Sequence, residues 1–185
     1  MTHQEIINKA KTLLGAVVDG IEDPVWTSEA FAIWCQEGSD ELVFKVRDDL
    51  LEFLYTISST IVGPGEQILD NNFLKLVKVT RANKKCTIKN IVTTNSLFTP
   101  SVEFPTVCRK GNKLIIEPTE PATVEVIYIR KPVFVLDENS ELPLDWQDNI
   151  VNYICMKALE TDERYEQAKY YFGLFNSAIE KINEG

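Results

Sequence analysis

The first 54 positions carry apolar residues at helical intervals. Thr2 and Glu5 match a capping box, and behind them Ile6, Ala10, Leu13 and Val17 step by 4, 3 and 4, which predicts a helix with one apolar stripe. Gly15 and Gly20 weaken its end. After the loop "DGIEDPVWTSEAF", Thr27 or Ser28 can cap a second helix with Glu29 in its first turn, favoured by the helix dipole. Ala30, Phe31, Trp34 and Cys35 form its apolar face, and Gly38 is expected to end it. Ser39 or Asp40 then caps an expected third helix, in which Val43, Val46, Leu50 and Phe53 step by 3, 4 and 3.

From Tyr55 the period changes to two. "TISSTIV" is strand-like and stops at Gly63-Pro64-Gly65; "FLKLVKVT" and "KCTIKNIVTT" alternate. "TVCRKGNKLIIEP" reads as a hairpin turning at Lys110-Gly111-Asn112. In "TVEVIYIR", Val124, Val126 and Tyr128 share one face and Glu125, Ile127 and Ile129 the other. Both faces are largely apolar, which predicts a central strand. Prolines at 100, 105, 118, 121 and 132 fit strand ends or edges.

After Pro132 the helical period returns. Asp145 can cap a helix carrying Ile150, Val151, Ile154, Cys155, Ala158 and Leu159. After the break "ETDE", the last helix places Tyr165, Ala168, Phe172, Phe175, Ile179 and Ile182 in a seam, beside a second stripe of Tyr171, Leu174 and Ala178. Two adjacent stripes predict two neighbours, within the chain or across subunits. The order implies an α+β fold: a helical bundle built from N- and C-terminal helices, with an inserted antiparallel β lobe. The expected segments are 1–54, 55–132 and 133–185, forming one structural domain with an insertion. Trp34, Trp146, Phe172 and Phe175 are the expected bundle anchors.

Composition adds few constraints. Hydrophobic residues make up 44% and charged residues 25%, as in globular domains, and no apolar run reaches the roughly 18 residues of a membrane span. The N-terminus lacks the charged-then-apolar pattern of a signal peptide. The formal net charge of −9 argues against a chain built to grip duplex DNA. Cys35, Cys86, Cys108 and Cys155 are irregularly spaced, and His3 cannot complete a zinc site with them; reduced, partly buried thiols and an exposed, inert His3 are expected. A nucleophile–histidine device has no second histidine to use, and Gly63-Pro64-Gly65 lacks the lysine and following helix of a phosphate loop. The carboxylates at Asp19, Glu22 and Asp23, at Asp48, Asp49 and Glu52, and at Glu160, Asp162 and Glu163 have no calcium-loop spacing. Arg81, Lys84 and Lys85 read as an exposed basic turn. Trp26, Trp34 and Trp146 fit core anchors better than a binding surface. No cofactor, metal or catalytic residue is expected.

The order of features resembles the head–tail adaptor (connector) proteins of tailed bacteriophages. "PVWTSEAFAIWCQEGSDELVFKV" is similar to that family's early helices. "ILDNNFLKLVKV" is similar to its segment before a strand, although the usual proline is absent. "IRKPVFVLDENSELPLDWQDNIVNYICMKALETDERYEQAKYYFGLFNSAIEKI" carries the fullest match: a strand ending in Lys-Pro, Leu-Pro before an aromatic, and two closing helices.

The resemblance implies a structural protein of the virion, made in the host bacterial cytoplasm. Copies of it would form a ring, usually twelvefold in that family. The ring would contact the portal on one side and the tail or next neck protein on the other, while DNA passes through without sequence-specific binding. Tyr171, Leu174, Ala178, Ile179 and Ile182 are the expected oligomer or portal interface. Another neck component, such as a stopper or tail-completion protein, or a monomeric protein-binding module, would share much of this pattern.

Overall fold

In the computed structural model the N-terminal capping box is made. The Glu5 backbone N–H donates to Thr2 Oγ1 at 3.1 Å, and the Thr2 N–H donates to the Glu5 carboxylate at 2.8 Å. They open α1 (His3–Leu13), which stops at Gly15, where φ is +70°. The structure describes residues 1–15, 26–62, 66–89 and 100–185. Val17, Gly20, the carboxylates of 19–23 and Gly63-Pro64-Gly65 lie outside them. The described chain forms two compact units: a helical unit of Met1–Leu50 with Pro132–Gly185, and a β unit of Leu51–Lys131.

In the helical unit, α2 (Ser28–Lys45) is capped by Thr27, whose side chain accepts from the Ala30 N–H at 3.1 Å. It runs straight through Gly38, correcting the expectation of a stop there and of a third helix beyond. The glycine serves closeness, not termination. A Cβ at Gly38 would lie 2.9 Å from Tyr153 Cδ1 on the next helix, α3 (Leu144–Thr161). Ser39 does not cap a new helix; its hydroxyl donates back to the Cys35 carbonyl at 2.9 Å. Beyond Val46 only single 3-10 turns follow, at Asp48–Leu50 and Glu52–Leu54. Asp145 sits in the first turn of α3, with Pro143 at the cap position, so the dipole is served without a side-chain cap.

The centre of this unit is α3. It packs against α1, α2 and the last helix, α4 (Tyr165–Glu184), and buries Ile150, Val151, Ile154, Cys155, Ala158 and Leu159. Trp26 is buried, with its indole N–H donating to the Ala158 carbonyl at 3.0 Å. His3, expected to be exposed, is 1% exposed. Residues 135–140 lie along the start of α1, bonded through Gln4 N–H to Leu136 O, His3 N–H to Glu138 O and a Thr2–Asn139 bridge. That strap puts the imidazole 4.6 Å from the Phe134 ring, with Nδ1 2.8 Å from the Val135 carbonyl. Sequence periodicity does not register an irregular strap, so this burial was not readable from it.

The β unit comprises β1 (Tyr55–Val62), β2 (Glu66–Ile68), β3 (Phe73–Arg81), β4 (Lys84–Lys85), β5 (Thr87–Lys89), β6 (Thr106–Lys110), β7 (Lys113–Glu117) and β8 (Ala122–Arg130). The sheets have orders β1-β8-β3-β4 and β2-β7-β6-β5. The strand read as central, β8, lies between β1 and β3, antiparallel to both. The lobe is antiparallel except where β5 runs parallel to β6. Val79, Val124, Val126 and Tyr128 from one sheet meet Val107, Leu114 and Ile116 from the other in a single core. Gly111 turns the β6–β7 hairpin at φ +62°. A second turn, Ala82-Asn83, has positive φ at both residues without a glycine and escapes a sequence reading. Arg81, read as part of an exposed spot, is buried and donates to the Glu120 carbonyl at 2.7 Å; Lys84 and Lys85 are exposed.

Tyr128 is 2% exposed and donates to Asp70 Oδ2 at 2.5 Å. Burial first, and then the Asp70 carboxylate, push its phenol up to about 12. The unfolded chain, with an ordinary phenol near 10, releases this proton first. The stabilisation is therefore whole below about pH 10 and is lost as pH rises through about 12. Tyr128→Phe should cost about 0.5–1.5 kcal/mol at neutral pH and flatten the alkaline loss. Urea unfolding of both proteins near neutrality and at about pH 11 checks this; equal alkaline slopes would dismiss Tyr128 as the source.

Candidate interaction surface

The buried line of α4 is narrower than its sequence pattern. Ala168, Phe175 and Ile179 are buried; on the flanks, Tyr171, Ala178 and Ile182 are half-buried. The buried arc falls between the two expected stripes, so each loses its outer members to solvent. On one side Tyr165 is 59% and Phe172 46% exposed; on the other, Tyr170 is 63% and Leu174 37% exposed. Phe172 is therefore not a bundle anchor. It stands at the edge of the buried arc and lines a cleft with Tyr153 and Lys157 of α3. Ile179, expected at an interface, is 5% exposed and belongs to the inside of the unit. Of the remaining expected anchors, Phe175 and Trp146 are buried. Trp34 is half-buried, its ring edge-on to Phe31 at 5.4 Å.

Around Phe172 two shallow clefts share a wall. One, of about 340 Å³, is lined by Glu41, Lys45, Tyr153, Lys157, Phe172 and Phe175 among others; a smaller one includes Glu160, Tyr165, Lys169 and Phe172. Lys45 ties the first together. Its ammonium lies 5.6 Å from the Phe172 ring centroid and 5.7 Å from that of Phe175, and it also reaches Glu41 at 3.3 Å and Asn176 at 3.1 Å. The Tyr153 phenol, 5.3 Å ring to ring from Phe175, is pushed up to about 12 by burial and then by Glu37, Glu41 and Glu160. A third cleft, of about 540 Å³, lies on the other flank, among Leu13, Leu14, Leu159, Arg164, Tyr170 and Tyr171. Tyr171 packs on Met156, Leu159 and Ala168, and burial raises its phenol. The grooves are apolar-floored and charge-rimmed, which suits docking of a protein surface more than chemistry on a small molecule.

Among the described residues no three of His, Cys, Asp and Glu gather where a metal could bind, and no helix is long and apolar enough to cross a membrane. The carboxylates at 48–52 and 160–163 include ion pairs: Asp49 with Arg47 and Asp162 with Arg164, both at 2.6 Å, and Glu160 with Lys157 at 3.8 Å. Burial pushes the Cys35 and Cys155 thiols up to about 12, and Cys86 to about 11 against the opposing charge of Arg81, so none is primed as a nucleophile.

Charge is segregated. The β unit holds eleven Lys and Arg against seven Asp and Glu, a net of +4. The rest of the chain holds eight against twenty-one, a net of −13. The whole-chain value of −9 conceals this division, and a count by segment would have revealed it.

The family model for SU10 adaptor proteins matches residues 1–185. The chain belongs to the SU10 adaptor protein family. The resemblance to phage head–tail adaptors is consistent with that membership, which supports a structural role as a phage adaptor and a place among virion components. A search of curated proteins finds no match to this family member. For an adaptor, the relevant sites are surfaces, and the flanks of α4 expose Tyr165, Tyr170, Phe172 and Leu174.

Proposed function

We propose that the protein forms a ring at the capsid–tail junction, joining the portal to the tail or next neck component around a channel for DNA. Family membership over the whole chain carries this reading. The exposed apolar flanks of α4 support it, since an adaptor needs surface on which to hold its partners. The net negative charge suits a lumen through which DNA slides, because carboxylates do not hold phosphates. Itself, the portal and the tail-side neck protein are the proposed partners.

Light scattering of the purified chain, alone and then mixed with the portal of the same phage, tests this. A complex with the portal's symmetry is expected in the mixture. A monomer that ignores the portal would move the weight to a stopper, a tail-completion protein or a monomeric binding module. In the same assay Phe172→Glu with Leu174→Glu should weaken association by about 2 kcal/mol, the scale of an interface hot spot, while leaving helicity intact. Unchanged affinity would remove the α4 flanks from the contact surface.

A further inference from the structure

The opposite charges of the two units come with two exposed patches of matching design. On sheet β2-β7-β6-β5, the register pairs Ile68 with Lys113 and Lys113 with Lys110. Leu114 and Ile116 point into the core, so strand alternation places this row on the outward face. Ile68 is 69% exposed, and both lysines are exposed. On α2, Glu29, Ile33, Glu37 and Phe44 follow one outward line, four, four and seven residues apart. Ile33 and Phe44 are 51% and 56% exposed, Glu29 and Glu37 are exposed, and neither glutamate has a cationic partner among the described residues.

We infer that the Ile68–Lys113–Lys110 row of one copy docks on the Glu29–Ile33–Glu37–Phe44 line of the next copy. The sheet row sets Ile68 beside two lysines, with Glu117 farther along the same face, and the α2 line sets Ile33 and Phe44 beside two glutamates, so the rows carry opposite charge. Contact between two helical units of −13 each would be opposed by repulsion, whereas the +4 unit is attracted to the −13 unit of a neighbour. The two patches differ, so the contact is head-to-tail, the kind that repeats into a ring or filament rather than stopping at a pair. Duplex DNA is a poorer occupant of the lysine row, because the exposed Ile68 finds no counterpart on a phosphate backbone. The inference rests on the ring reading.

The experiment uses the full chain with its portal and reads complex size and apparent affinity. Lys110→Glu/Lys113→Glu and, separately, Glu29→Lys/Glu37→Lys should each weaken copy-to-copy association about tenfold or more, with helicity unchanged since all four side chains are exposed. The chain carrying all four reversals should assemble again, because the complementarity is restored with the signs exchanged. Wild-type assembly should also weaken as salt rises. Lysine–carboxylate cross-linking of mixed light and heavy isotope-labelled chains should join Lys110 or Lys113 to Glu29 or Glu37 between copies. Assembly indifferent to the reversals, or no rescue by the fourfold variant, overturns the inference and leaves the ring standing. A lysine variant that assembles normally but loses affinity for duplex DNA overturns it in favour of a DNA-facing sheet. A wild-type chain that never associates overturns both, and the size measurement tells these cases apart.

Discussion

Phe175→Asp is expected to unfold the helical unit. Phe175 is 0% exposed, with its ring against Tyr153 of α3. Truncating a buried phenylalanine costs about 3–5 kcal/mol, and a carboxylate left in that space adds desolvation that nothing nearby offsets. The Lys45 ammonium lies 5.7 Å from the ring centroid, but it is already held by Glu41 and Asn176. The total approaches the whole stability of a domain, about 5–15 kcal/mol. Phe172→Asp, three residues earlier on the same helix but 46% exposed, should cost less than about 1 kcal/mol. Thermal melts followed by circular dichroism compare the two. A Phe175→Asp chain that melts like wild type would mean that the buried face of α4 is wrongly placed.

Gly38→Leu should destabilise even though it improves the helix. Leucine gains about 0.8 kcal/mol of helix propensity over glycine, but its first side-chain atom would sit 2.9 Å from Tyr153 Cδ1 and 3.1 Å from Cγ. Those are ring atoms near the Tyr153 backbone, not the end of a flexible chain. Overpacking of this kind costs about 1–3 kcal/mol, so a net loss of about 0.2–2.2 kcal/mol is expected. The diagnostic is a double-mutant cycle. In a Tyr153→Ala background, where Cδ1 and Cγ are gone and only Cβ remains at 3.2 Å, Gly38→Ala should be more favourable than in the wild-type chain. If Gly38→Ala is equally favourable in the wild-type chain, the helices are not in the contact described.

Gly38 also shows what a single sequence could convey. A glycine two-thirds of the way along a helical pattern has two readings, a stop or a close approach, and only the partner across the interface decides between them. Elements whose residues dictate their own geometry were legible: the Thr2–Glu5 capping box, the Gly111 hairpin, and β8 with apolar residues on both faces. The seam on α4 was legible in direction but not in width, because the number of flanking residues that stay covered depends on how broad a surface α3 presents. His3 and Arg81 were misread as exposed, since each is buried by an irregular segment, the 135–140 strap and the Glu120 loop. The candidate surface was half legible: the apolar flanks of α4 could be read, and the charge division was open to a count over the expected segments, but the whole-chain value of −9 conceals it.

The position of α3 governs the order in which the chain can acquire structure as it is made. Helices α1 and α2 bury their apolar faces largely against α3, yet roughly 100 residues separate the end of α2 from the start of α3. At about 5–20 residues per second, the N-terminal helices leave the ribosome at least about five seconds before the helix that shelters them. The whole contiguous β unit emerges in that interval. Ile6, Ile7, Phe31 and Leu42 therefore spend it without their native cover, a window in which a neighbouring nascent chain or a chaperone competes for the same faces.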